Sequence, residues 1–185
     1  MKVLLFTPLL AGVAAAQAFR LVAENACSPI HNGYFNAALS NIYINLEQND
    51  ALCPSVNNPS TVIMSIIGDG LYFSSSRNPV QTVWVDRSAA GQGKIGYLTQ
   101  DHWIPPGAEF NGWSLDDSGS LTFDGASFIA CPNGLNGAWT VWLNVGIAQP
   151  GGNVGCVPVL GREAVTYLPY ASCTYTVNGT LWEIE

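Results

Sequence analysis

Short apolar runs rich in β-branched and aromatic residues recur along this chain at close intervals, bounded by glycine, proline, asparagine or aspartate. No stretch carries capped helical periodicity. The runs in the first half are residues 19–23, 41–46, 61–67, 71–74, 82–86 and 94–99. Those in the second are 121–123, 127–130, 138–144, 163–167 and 173–177. Gly68-Asp69-Gly70, Asp124-Gly125 and Asn178-Gly179 read as hairpin turns, because these residues enter the left-handed backbone region at little steric cost. The pattern predicts an all-β domain, either a single β-sandwich or a closed β-barrel, with a β-trefoil-like barrel as the alternative. Composition agrees: 48% of residues are hydrophobic and only 10% charged, which argues against disorder, and 19 glycines with 11 prolines supply the turns.

The N-terminus has a different character. Met1-Lys2 is followed by an uncharged apolar stretch over residues 3–15, then by small residues in Ala14-Ala15-Ala16 and Ala16-Gln17-Ala18. A charged start, an apolar run too short to span a bilayer and a small-x-small cut describe a secretory signal peptide over residues 1–18. Cleavage leaves Gln17 or Phe19 at the mature terminus, with 19–185 as a single β-rich domain. Neither a second membrane-length apolar run nor the hydrophobic tail of a GPI signal follows, so no membrane anchor is expected. With 6 Lys and Arg against 13 Asp and Glu, a net charge of −7, too little basic surface is available to neutralise phosphates, so nucleic acid is not expected as a partner.

All five cysteines, Cys27, Cys53, Cys131, Cys156 and Cys173, lie beyond the signal, in a compartment where disulfides form. Two disulfides and one odd thiol is the natural reading, and spacing alone leaves fifteen arrangements open, five choices of odd cysteine with three pairings each. Without a CxxC, and with two histidines in all, no metal site or cofactor is expected.

Two tryptophans fall on unexpected strand faces. Alternation groups Trp84 with Thr82 and Asp86, and Trp142 with Thr140 and Asn144. An aromatic on a polar face suits stacking against sugar rings, so Trp84 and Trp142 are candidate carbohydrate-binding residues. The competing reading makes both rings core, since tryptophan is usually highly buried. Catalytic signatures are incomplete throughout. Gly91-Gln92-Gly93-Lys94 lacks the first glycine of a phosphate-binding loop, and Gly112-Trp113-Ser114-Leu115-Asp116 lacks the closing glycine of a nucleophile elbow. Asp101, His102 and Glu109 share a Pro-rich loop but read more simply as a solvated turn. The one N-glycosylation acceptor is Asn178-Gly179-Thr180, because proline bars Asn58-Pro59-Ser60.

Residues 85–173 carry a series of runs in a characteristic order. They are Val85-Asp86-Arg87-Ser88, Gly91-Gln92-Gly93-Lys94-Ile95-Gly96-Tyr97, Gly112-Trp113-Ser114, Ile129-Ala130-Cys131-Pro132-Asn133, Gly137-Ala138-Trp139, Gly152-Asn153 with Cys156, and Ser172-Cys173-Thr174-Tyr175-Thr176. This stretch resembles the fungal phialide-development cell-wall proteins, the phiA family. The loop over residues 99–110 and the tail over 177–185 depart from the family pattern, so His102 and Asn178 gain no support from it. The resemblance implies a secreted, wall-associated protein of filamentous fungi, linked to phialide and conidium development and stress protection, with some members IgE-binding allergens. It brings no catalytic residues.

The expected function is therefore a noncatalytic structural or surface protein of the wall, with wall polysaccharide or wall proteins as partners. A carbohydrate-binding module is one alternative, and a secreted glycan hydrolase or antimicrobial effector another. Among the cysteines, Asn133-Gly134, Asn136-Gly137 and Pro150-Gly151-Gly152 allow the ends of the 131–156 segment to meet around the 138–144 strand. That favours Cys131 with Cys156; separately, Cys53 is expected to pair with Cys173, leaving Cys27 odd.

Overall fold

The alternation seen along the chain becomes one antiparallel sheet that returns to its own first strand. The structure, a computed structural model, describes residues 17–53, 61–73, 80–99, 103–166 and 173–175. Most of the expected signal peptide, His102 and the Asn178-Gly179 turn lie outside these residues. The first half holds β1 (Ala18–Glu24), β2 (Phe35–Ala38), β3 (Asn41–Ile44), β4 (Ala51–Leu52), β5 (Met64–Ile67), β6 (Gly70–Phe73), β7 (Gln81–Asp86) and β8 (Lys94–Thr99). The second holds β9 (Ala108–Glu109), β10 (Trp113–Leu115), β11 (Ser120–Phe123), β12 (Phe128–Cys131), β13 (Trp139–Leu143), β14 (Val157–Val165) and β15 (Thr174–Tyr175).

Thirteen of these strands share one sheet, whose path runs β1-β5-β6-β7-β8, continues through β3 and β13 to β12 and β14, and returns by a β1–β14 ladder. That ladder pairs Phe19 with Val165 through to Glu24 with Leu160. The result is a closed barrel, with β3 wedged between β8 and β13. β15 and β4 form a separate two-stranded sheet.

One side of each wall strand faces inward. Leu21, Phe35, Met64, Leu71, Val83, Ile95, Phe128 and Val141 are all buried and belong to one cluster. Trp113 joins them, edge-on to Phe123 at 5.0 Å between ring centroids. The void left among these side chains is about 10 Å³, room for one water at most. A barrel of this size fills its interior with side chains. Among the described residues this one holds no ligand chamber at its centre.

Turn chemistry is visible where glycine allows it. Asp124 (φ 48°) and Gly125 (φ 78°) are both left-handed, and Phe123 and Ala126 exchange amide bonds across them at 3.0 and 2.9 Å. The β2–β3 turn gives no such signal, because its left-handed residues are Leu39 (φ 50°) and Ser40 (φ 61°), types seldom found there. β2 is equally hidden: Phe35-Asn36-Ala37-Ala38 has weak strand propensity yet is wholly buried. Amide side chains help satisfy it. Leu46 N–H donates to Asn36 Oδ1 at 3.0 Å, and Ala37 N–H donates to Asn49 Oδ1 at 2.8 Å. β14 begins six residues before the expected 163–167 run, and includes Pro158 and Gly161. Pro158 lies beyond Leu160, the last β14 residue paired with β1, where a missing N–H costs least.

The structure bonds Cys53 to Cys173 and Cys131 to Cys156, and leaves Cys27 free and exposed. The first bridge spans 120 residues and the second 25. In the chain-entropy account closures of these lengths stabilise by about 5 and about 3.5 kcal/mol. Nonreducing peptide mapping should return these two linked pairs, with Cys27 alone taking an alkylating label before reduction. Replacing Cys53 and Cys173 together by serine should cost more stability in urea than replacing Cys131 and Cys156 together.

Candidate functional site

Cross-strand register sets which residues share a face. Trp84 stands opposite Gly96, and Lys94 stands opposite Trp142. Lys94 and Gly96 are two apart on β8, so both tryptophans project from the same outer face of the barrel wall, flanking β8. Val83, Val85, Ile95, Val141 and Leu143 take the alternate positions and are buried within.

Neither ring is laid open to solvent. Trp84 is only 6% exposed, because its indole lies over Gly96, where a Cβ would come within 2.5 Å of Trp84 Cζ2. Trp142 is half-buried beneath the 150–152 turn, where a Cβ on Gly151 would approach its Cη2 to 2.8 Å. Gly151 N–H donates to Gln92 Oε1 at 2.9 Å, which ties that turn to the β7–β8 connection. The open aromatic on this side is Trp103, 75% exposed. It precedes a tight turn in which Ala108 N–H donates to Pro105 O at 3.1 Å and Gly107 takes φ +82°. Proline at the second position and a left-handed glycine at the third are what such a turn requires.

Between Trp103 and the barrel wall lies a cleft of about 430 Å³, with Trp84 and Leu98 on its floor, Ser40 at one side, and Asp86 and Lys94 at its rim. Asp86 and Lys94 are directly opposed across β7 and β8. Two glycines fix the aspartate: Cβ atoms on Gly91 and Gly107 would fall 2.0 Å and 2.8 Å from its carboxyl group. Ser88 N–H donates to Asp86 Oδ1 at 2.9 Å, leaving Oδ2 without a donor among the described residues.

The neighbouring charges are committed to each other. Arg87 pairs with Glu109 and, at 2.9 Å, with Asp124, while its guanidinium lies 5.0 Å from the centre of the Phe123 ring. Glu109, one of the loop carboxylates singled out in the sequence, is thus held by Arg87, whose hydrogen bond keeps it below the usual carboxylate range. Asp101 and His102 lie outside the described residues. His31, at the far end of β1, accepts from Asn25 N–H at 3.3 Å. Trp103 was not among the residues that the sequence pattern marked, because it stands outside any alternating run. A usable signal was present in Trp103-Ile104-Pro105-Pro106-Gly107, where two prolines deny the tryptophan a strand in which to bury.

Comparison with known proteins supplies the context. A model of PhiA-like secreted proteins matches residues 19–176. The chain belongs to that family. The cell wall protein phiA of Emericella nidulans is 39% identical over 161 residues, covering 86% of this chain and 87% of the relative. That of Arthroderma benhamiae is 43% identical over 148 residues, 77% and 78% of the two chains. That of Aspergillus fumigatus is 37% identical over 171 residues, 90% and 91%. No solved structure matches the chain. Family membership and these relatives make it a secreted, extracellular protein associated with the cell wall.

Two predictions follow the geometry of this face. Trp84→Ala empties a filled site and should destabilise by roughly 3–5 kcal/mol. Gly96→Ala forces the indole off the sheet and should cost roughly 1–3 kcal/mol. Urea midpoints read both, and an unchanged midpoint for Gly96→Ala would mean the ring does not lie where described.

A further prediction concerns pH. Hydrogen bonds from Arg162 to Glu24, from Arg87 to Glu109, and from the Ser118 hydroxyl to Asp116 hold these carboxyls below their usual values. Depressed carboxyls contribute stability that is complete above the unfolded values of about 4 and is lost as pH falls through the folded ones. Burial pushes the Tyr175 phenol well above its usual value, so its contribution is complete below about pH 10 and falls away above it. Melting temperatures should therefore be flat between about pH 5 and 9, declining on both sides.

Proposed function

We propose that this protein is a noncatalytic structural and surface component of the fungal wall, of the kind involved in phialide and conidium development and in stress protection. The observation that carries the reading is a filled, disulfide-bridged barrel in a chain whose relatives are named cell wall proteins over nearly their whole length. A shell of this build suits persistence outside the cell. Among the described residues its core leaves no chamber for a substrate, and Arg87 engages Glu109 in an ion pair of the kind that holds surface loops together.

Export begins with removal of the signal peptide. Cleavage before Gln17 would preserve Ala18, which pairs with Ser65 and whose carbonyl accepts from the Thr166 hydroxyl at 2.8 Å. Cleavage before Phe19 would forfeit both contacts. A glycan at Asn178, the one acceptor in the sequence, completes the mature protein.

Fractionating a producing culture into medium, detergent-extractable wall and glucanase-released wall tests this reading. The protein should be recovered from the wall fractions, begin at Gln17, and lose mass on N-glycosidase treatment. Recovery from the medium alone would overturn wall residence. Release of reducing sugar from purified wall glycans by the pure protein would overturn the noncatalytic assignment.

A further inference from the structure

We propose that the cleft beneath Trp103 is a carbohydrate subsite that takes a neutral hexopyranose unit of a wall polysaccharide, with the Trp103 ring as platform and Asp86 and Lys94 as hydrogen-bonding partners. The proposal rests on the wall-associated reading above for the origin of the sugar, but its geometry stands by itself.

Trp103 comes first. An indole 75% exposed keeps a large apolar face in water, which folding ordinarily removes. The C–H face of a pyranose is apolar and slightly positive, matching the negative face of an aromatic ring. The cleft's volume of about 430 Å³ lies within the ~300–1,000 Å³ range of small-ligand sites and exceeds what one sugar ring needs.

The rim then selects for hydroxyls. Asp86 Oδ2 is an acceptor without a donor among the described residues, positioned by the two glycine backbones that flank its carboxyl group. Lys94, directly across the ladder, supplies N–H donors and forms no ion pair among the described residues. One acceptor and one donor of opposite charge suit a neutral polyol; an acidic sugar would meet Asp86 and a protein of net charge −7. A peptide adding as a strand has nothing to pair with here. β7 is occupied by β8 on one edge and by β9 at Val85 and Asp86 on the other, while β8 is flanked by β7 and by β3 and β13.

The floor is rigid, since Trp84 is pinned on Gly96 and Ser40 O accepts from Tyr97 N–H at 3.3 Å. A preformed floor lowers the ordering cost of binding a small ligand. Trp84 therefore shapes the subsite from below while Trp103 offers its face.

The test is isothermal titration of the mature protein with laminarihexaose, chitohexaose and mannohexaose, set beside Trp103→Ala, Asp86→Asn and the exposed variant Ile67→Ala, which lies outside the cleft's lining. Wild type and Ile67→Ala should bind at least one of the three oligosaccharides, and the one preferred identifies the wall polymer. Trp103→Ala should weaken that binding at least tenfold while its melting temperature stays within about 1 °C of wild type, because an exposed ring contributes little to the fold. Asp86→Asn should weaken binding severalfold. Binding of none of the three, or equal binding by wild type and Trp103→Ala, would overturn the subsite. Either of those results obtained with protein recovered from the wall would leave wall residence standing, so the two readings fail separately.

Discussion

The β1–β14 ladder closes the barrel, and nearly every other feature depends on it. Six residue pairs join the start of the described chain to a strand about 140 residues later, so that neither strand is left as an open edge. β14 also pairs with β12 through Val157–Val159 and with β11 through Gly161 and Arg162. One nine-residue strand therefore organises three neighbours. Its Gly161 faces the core, where a Cβ would stand 3.2 Å from both the Phe35 and Phe128 rings. Those rings meet edge to face at 6.0 Å across the space the glycine leaves. Arg162 faces the other way, bonding Glu24 at 2.6 Å and the Ser118 carbonyl, which ties the closing ladder to the β10–β11 connection.

The same exchange of glycine for aromatic surface recurs outside the barrel. Trp84 fits over Gly96, and Trp142 fits beneath Gly151. A glycine in a strand costs backbone entropy and leaves a gap, and an indole laid across it recovers apolar burial that no strand side chain provides there. Packing on the outer face is thus as specific as packing within. It also explains why polar-face alternation is a poor guide to exposure in this fold: the outer wall carries a second layer of loops, from residues 103–107 and 150–152, that covers part of it.

A buried side chain joins the far end of the described chain to the barrel. Gln81 is fully buried, donates to Tyr175 O at 2.7 Å and to Thr99 Oγ1 at 3.1 Å, and accepts from Tyr175 N–H at 2.7 Å. Its amide substitutes for a strand backbone, presenting one donor and one acceptor to the same residue. The Tyr175 ring packs on Phe73 at 4.9 Å, and the Cys53–Cys173 bridge fixes β15 beside β4. Burial, a satisfied polar pair and a covalent link all act on one short strand, which by itself is too small to persist.

Much of the fold was legible locally. Period-two alternation with turn residues announced β1, β7, β8, β11, β12 and β13, since side chains on a strand with one face in a core must alternate. Glycine at left-handed positions announced the Asp124-Gly125 turn for an equally local reason. β2 and the start of β14 were not legible, because alanine, asparagine, proline and glycine enter strands only when neighbours supply what they lack. The five cysteines named a bridged exported domain, yet which sulfurs meet depends on the sheet's path. The sequence alone determined the all-β class, the extracellular chemistry and the family, because these reside in composition, spacing and motif order. Only the tertiary structure decided that the sheet closes, that Trp84 is covered while Trp103 is open, and that Asp86 and Lys94 face one cleft. Those outcomes depend on register between strands and loops far apart in the chain, and no local pattern encodes a distance between them.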